Sequence, residues 1–129
     1  MRAPLPPRED DETRLVDADL AGGRELGWQL VDTIVERGNL ANLVARELTL
    51  TRVVLAGVRL TGVEWTRGRI TDVVFRDCRI DLATFAGTTF DRVTFDGCML
   101  SQAEFRDSRF AQLLFGKLLH RHSILARAM

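Results

Sequence analysis

Few side chains in this sequence could do chemistry. Cys78 and Cys98 are the two cysteines, and His120 and His122 are the two histidines. Two thiols could form a disulfide or part of a metal site, but a structural zinc centre takes four ligands. His120-Arg121-His122 sets its imidazoles two positions apart, which points them to different sides of a helix. No further cysteine or carboxylate lies near them in the chain. No nucleophile motif, glycine-rich phosphate loop or metalloprotease signature is present. Neither a metal nor a cofactor is expected, and an enzyme is not expected.

The elements that position these groups follow from a period. From Leu50 to Phe115 every fifth residue is large and apolar, and all seven phenylalanines fall in this one register. A plain strand would send an odd period to alternating faces. A straight helix turns about 100° per residue, so the apolar stripe would wind around its axis. The chain must run extended briefly, turn a corner and present the same side inward again. Two residues before each centre stand small or β-branched residues such as Val53, Val58, Val63, Val73, Ala83 and Val93. The flanking positions are mostly polar, as at Arg59, Glu64, Arg79, Asp81 and Asp91. Large and small inside with polar outside describes a narrow filled tube. Its carboxylates face solvent, without the pocket that acid–base catalysis needs.

Ala18-Asp19-Leu20-Ala21-Gly22 and Gly38-Asn39-Leu40-Ala41-Asn42 carry a resemblance, and Ala103-Glu104-Phe105-Arg106-Asp107 matches more loosely. They resemble the pentapeptide-repeat family, whose unit is A-[D/N]-L-x-x with Leu or Phe at its centre. Most other units lack the Asp or Asn. The resemblance implies an all-β fold, a right-handed quadrilateral β-helix with four pentapeptides per coil. It stacks Trp65, Phe85 and Phe105 in one column and Phe75, Phe95 and Phe115 in another. It also places Cys78 and Cys98 on adjacent coils, where they are expected as free buried thiols.

Taken in order, residues 1–12 hold all three prolines and an acidic run, and read as a disordered leader. The β-helix is expected over 13–117, regular from 48 and irregular before 28. Glu25 falls on a centre, where an apolar tube could not hold it unpaired, so a bulge or loop is expected around Gly22–Gly27. Leu26, Leu30 and Ile34 would alternatively suit a helix stopped by Gly38, but the continuing period favours strands. Ala45 is small for a centre and Leu43 large for its neighbour, which conserves volume. Residues 118–129 lose the period. Leu118, His122, Leu125 and Met129 lie on one helical face, so a C-terminal helix or irregular cap is expected.

The 18 basic and 18 acidic residues balance, which argues against direct nucleic-acid binding. No apolar signal-peptide core or membrane span is present, so a cytoplasmic location is expected. The expected role is a rigid protein-binding or scaffold module with an unknown protein partner. Some members of the family mimic DNA to inhibit DNA gyrase and protect it from quinolones. That alternative meets ten basic residues against eight acids over 48–117, where a mimic needs about one negative charge per 1.7 Å. The candidate interaction face is the outward column Val54, Val74, Thr94 and Leu114. It is expected to continue into Leu118 and Leu119 and to support a homodimer.

Overall fold

The computed structural model describes residues 13–116 and the backbone of 118–120. The strands are β1 (Thr13–Val16), β2 (Arg24–Leu26), β3 (Gln29–Glu36), β4 (Val44–Arg46), β5 (Thr49–Ala56), β6 (Glu64–Thr66) and β7 (Arg69–Arg76). There follow β8 (Thr84–Ala86), β9 (Thr89–Asp96), β10 (Cys98–Met99), β11 (Glu104–Arg106), β12 (Arg109–Phe115) and β13 (Leu118–His120). No helix occurs among the described residues.

All pairing is parallel, and in the two large sheets each residue meets the one twenty positions on, as in Thr49↔Arg69 and Leu50↔Ile70, whereas the register slips by one between β10 and β13. The coil is therefore twenty residues long, and about five coils stack. β1-β3-β5-β7-β9-β12 form one sheet and β2-β4-β6-β8-β11 another. Single bridges through Asp19, Asn39, Arg59, Arg79 and Met99 make a further wall. Every fifth residue from Asp17 to Gln112 has positive φ, which gives four corners to each coil. The long strands turn one of these corners within themselves, at Asp32, Arg52, Asp72 and Arg92. The first sheet thus wraps two walls. Glycine fills a corner without Cβ strain, but most corners here carry side chains, including Leu82 at φ 62°.

The tube is solid. Leu50, Leu60, Trp65, Ile70, Phe75, Ile80, Phe85, Phe90, Phe95 and Leu100 are fully buried. Phe75 stacks on Phe95 with ring centroids 4.9 Å apart, Phe85 on Phe105 at 5.1 Å, and Phe90 on Phe110 at 5.1 Å. Trp65 meets Phe85 edge-on at 5.8 Å. Parallel in-register coils put identical positions one strand spacing apart, which brings the phenylalanine pairs of one column face to face, while the larger indole of Trp65 sits edge-on to Phe85. The volume exchange holds as well, with Leu43 and Ala45 both fully buried. A second exchange was not apparent from the five-residue period. A Cβ built on Gly68 would come within 2.5 Å of Leu48 Cδ2, because the leucine occupies the space that Gly68 leaves.

Two expectations are corrected. Gly22–Gly27 holds neither a bulge nor an irregular loop: β2 pairs with β4 in unbroken register as Arg24↔Val44, Glu25↔Ala45 and Leu26↔Arg46. Glu25 is only half-buried, because β2 is the edge strand of its sheet among the described residues and small Ala45 stacks against it. The helix expected from 118 is also absent over 118–120. That backbone is the strand β13, paired with β10 as Cys98↔Leu118 and Met99↔His120. The open edge of Cys98 and Met99 offers backbone groups that a strand satisfies and a helix cannot. The leader at 1–12 and residues 121–129, the remainder of the cap expected over 118–129, lie outside the described residues.

Candidate interaction face

The wall between the corners of Asp32 and Arg37 is built by the second half of each long strand. Its inward side carries Val53, Val73 and Val93 with the centres Leu55, Phe75 and Phe95. Alternation along the strand turns the residue between each such pair outward. The β-ladder aligns these outward residues as Arg14, Ile34, Val54, Val74, Thr94 and Leu114. Val54, Val74 and Thr94 are partly exposed and Leu114 is 65% exposed. Ile34 extends the column by one coil. Counting back twenty residues from Val54 would have found it, but that strand also read as a possible helix.

The other three walls differ at the equivalent position. They present Asn39, Arg59, Arg79 and Met99; Val44, Glu64, Thr84 and Glu104; and Thr49, Arg69, Thr89 and Arg109. Only the first wall is apolar over three successive coils.

One edge of that wall is charged and ordered. Arg52 Nε and Nη2 donate to Asp32 Oδ1 and Oδ2 at 2.5 and 3.2 Å. Arg92 Nε and Nη2 donate to Asp72 Oδ1 and Oδ2 at 2.6 and 3.0 Å. These hydrogen bonds hold both carboxyls below their ordinary range and raise both guanidinium groups. The four residues form a row of alternating sign, Asp32, Arg52, Asp72, Arg92, at one-coil spacing. Sequence reading in steps of five hides it, and steps of twenty display it. At the C-terminal end of the wall, Arg92, Thr94, Gln112 and Leu114 line an open groove of about 340 Å³.

Leu118 and Leu119 are not aligned with this column. The backbone has turned the next corner by then, so Leu118 lies opposite Cys98 on the wall that carries Arg79 and Met99.

The cysteines occupy adjacent coils, since Met99 N donates to Cys78 O at 3.0 Å. Both are free and buried. Cys78 Sγ donates to Leu55 O at 3.2 Å, and Cys98 Sγ to Phe75 O at 3.2 Å. The hydrogen bond with Cys98, together with burial, pushes the Cys78 thiol well above its ordinary value. A thiol held in this form is a poor nucleophile. No cluster of three or more metal-ligating side chains exists among the described residues. His120 contributes only backbone pairing to what is described, and His122 lies outside it. No helix among the described residues is long and apolar enough to cross a membrane.

Comparison with known proteins follows the period. The family described as "Pentapeptide repeat region" matches residues 48–123. A pentapeptide repeat protein, Rfr23, from the cyanobacterium Cyanothece 51142 superposes with a TM-score of 0.72 at 12% identity, covering 81% of this chain and 85% of that one. QnrB1, a plasmid-mediated fluoroquinolone resistance protein, matches at a TM-score of 0.35 and 14% identity, over 77% of this chain and 54% of that one. HetL from Nostoc sp. strain PCC 7120, a pentapeptide repeat protein involved in heterocyst differentiation regulation, matches at a TM-score of 0.35 and 11% identity. It covers 81% of this chain and 56% of that one. The first likeness establishes the fold; the other two are too low to carry an argument. No curated protein matches the chain.

Proposed function

This chain belongs to the pentapeptide repeat family, and from that premise we propose that it is a non-enzymatic, rigid protein-binding module. The observation that carries the reading is the apolar column Ile34, Val54, Val74 and Leu114 on a wall otherwise edged by charge. Backbone hydrogen bonds run from coil to coil along the tube, so the wall is already in its binding shape. Binding through a preformed surface loses little conformational entropy on association. β-branched residues also suit exposed strands for their own sake. β-Branched Val44, Thr84, Thr49 and Thr89 do occur on two other walls, but an uninterrupted apolar run, Ile34–Val54–Val74, occupies only one among the described residues. A reducing cytoplasm suits the two buried free thiols.

A gyrase-binding DNA mimic would need a continuous acidic wall. Here Arg59 and Arg79 are neighbours on one wall, and Arg69 and Arg109 share another, which supports the general protein-binding reading instead.

A photo-reactive amino acid placed at Val74, and at Thr84 on the opposite wall, tests the proposal in the native cell. Illumination should yield discrete protein adducts from position 74 and not from 84, and adding Val54→Glu should abolish them. Equal labelling from both walls, or none from position 74, would refute the reading.

A further inference from the structure

The alternating row beside the apolar column has a symmetry of its own. When two such walls meet face to face, a two-fold axis parallel to the coil stack would set equal heights opposite one another. An axis lying across the stack reverses the heights, and each column then meets its own copy. Under that reversal Asp32 faces the second copy's Arg92, and Arg52 faces the second copy's Asp72. An even row of alternating sign is its own complement when turned end for end. Set side by side without reversal, the same row would oppose like charges throughout.

The axis that pairs these charges passes between the coils of Val54 and Val74. It places Val54 against the second copy's Val74, so four valines surround it. It also places Ile34 against Thr94, beside the groove lined by Arg92, Thr94, Gln112 and Leu114. Charge, apolar column and groove therefore share one axis. The remaining edge does not oppose this strongly. Glu36 would face Asp96, but Arg14 Nη1 already donates to Glu36 Oε2 at 2.7 Å.

We infer that this wall is the self-association surface of the protein, joining two copies antiparallel about an axis between Val54 and Val74. The inference rests on reading the apolar wall as an interaction surface, and it names the partner. Six strands at about 4.8 Å spacing span about 24 Å, and with a wall of roughly 10–15 Å give on the order of 300 Å² per copy. That is well below the roughly 800 Å² per partner of stable complexes. The dimer is accordingly weak, and salt weakens it further.

Sedimentation equilibrium of the full chain, from about 10 µM to 1 mM in low salt, covers the range of such a contact. Two double variants break the row's self-complementarity while keeping each hydrogen-bonded pair, 32 with 52 and 72 with 92, oppositely charged; both bring like charges together at 52 and 72 within the chain, and to the same degree. One combines Asp72→Arg with Arg92→Asp; the other combines Asp32→Arg with Arg52→Asp. In either, every facing pair becomes like-charged, so each alone should be monomeric throughout. Mixed one to one, the two variants oppose unlike charges at all four positions and should dimerise. Circular dichroism melts establish that each is folded. If a reversed row does not fold, Val74→Ser removes apolar contact without changing charge and should weaken association at least about tenfold.

A wild type that stays monomeric across the range overturns the inference, as does undiminished dimerisation in every variant. A mixture that remains monomeric rejects the antiparallel arrangement. The photo-adducts separate the two readings. A foreign protein on position 74 with a monomeric wild type refutes the second copy and leaves the interaction wall standing. No adduct at all refutes both.

Discussion

Replacing Phe90 with alanine tests the physical basis of the fold most directly. The ring is fully buried. It stacks on Phe110 at 5.1 Å with planes 17° apart, and meets Phe85 and Phe105 edge-on at 5.5 and 5.6 Å. Truncation removes the ring's transfer free energy and leaves a void of its size. Phe→Ala in cores costs about 3–5 kcal/mol, depending on how far the site collapses. Collapse is hindered here because coil-to-coil hydrogen bonds hold the surrounding backbone, such as Thr89 N to Gly68 O at 3.0 Å. The upper half of that range is therefore expected. With a urea dependence of about 1–3 kcal/mol/M, the midpoint should fall by roughly 1.3–5 M.

Phe110→Ala is the internal control. It lies in the same column one coil further on, but is only partly buried, so it should cost less than half as much. Urea unfolding followed by circular dichroism and tryptophan fluorescence would measure both; the two probes also test for a single transition, which a repeat array need not show. Equal costs at the two positions would refute the reasoning that position in the stack sets the penalty. A Phe90→Ala cost below about 1 kcal/mol would remove the ring from the core altogether.

Gly68→Ala should destabilise by about 1–3 kcal/mol, since the new methyl meets Leu48 Cδ2 and the Leu48 carbonyl. Leu48→Val in the same chain should recover part of that loss, giving a coupling above about 0.5 kcal/mol in urea melts; strict additivity would mean the two do not share the space. Acid sensitivity should follow the ordered row. Asp32 and Asp72 have folded values below 3.8, so their stabilisation is present above that value and is lost as pH falls through the depressed values. In acid titrations at constant temperature, Asp32→Asn with Asp72→Asn should flatten the stability profile below about pH 4, and an unchanged profile would refute the assignment.

The five-residue period was legible because each repeat solves the same local problem. An extended piece and a corner must return one large side chain to one interior, and the residue types at each position show it. From Leu50 to Phe105 the expected centres are all buried, and the Leu43–Ala45 exchange could be foreseen for the same reason. The apolar column at Val54, Val74 and Thr94 followed from alternation alone.

The tertiary structure decided whatever depends on the coil above or below. Glu25 occupies a centre without a bulge because β2 is the edge strand among the described residues and stacks on small Ala45. Leu118 leaves the wall of Leu114 because the free edge at Cys98 and Met99 draws the chain around the next corner. Gly68 exists for Leu48, twenty residues away. Asp32, Arg52, Asp72 and Arg92 look like scattered surface charges along the chain, and become an ordered row only when stacking sets them one strand spacing apart. The period belongs to single repeats, whereas these pairings belong to the distance between coils.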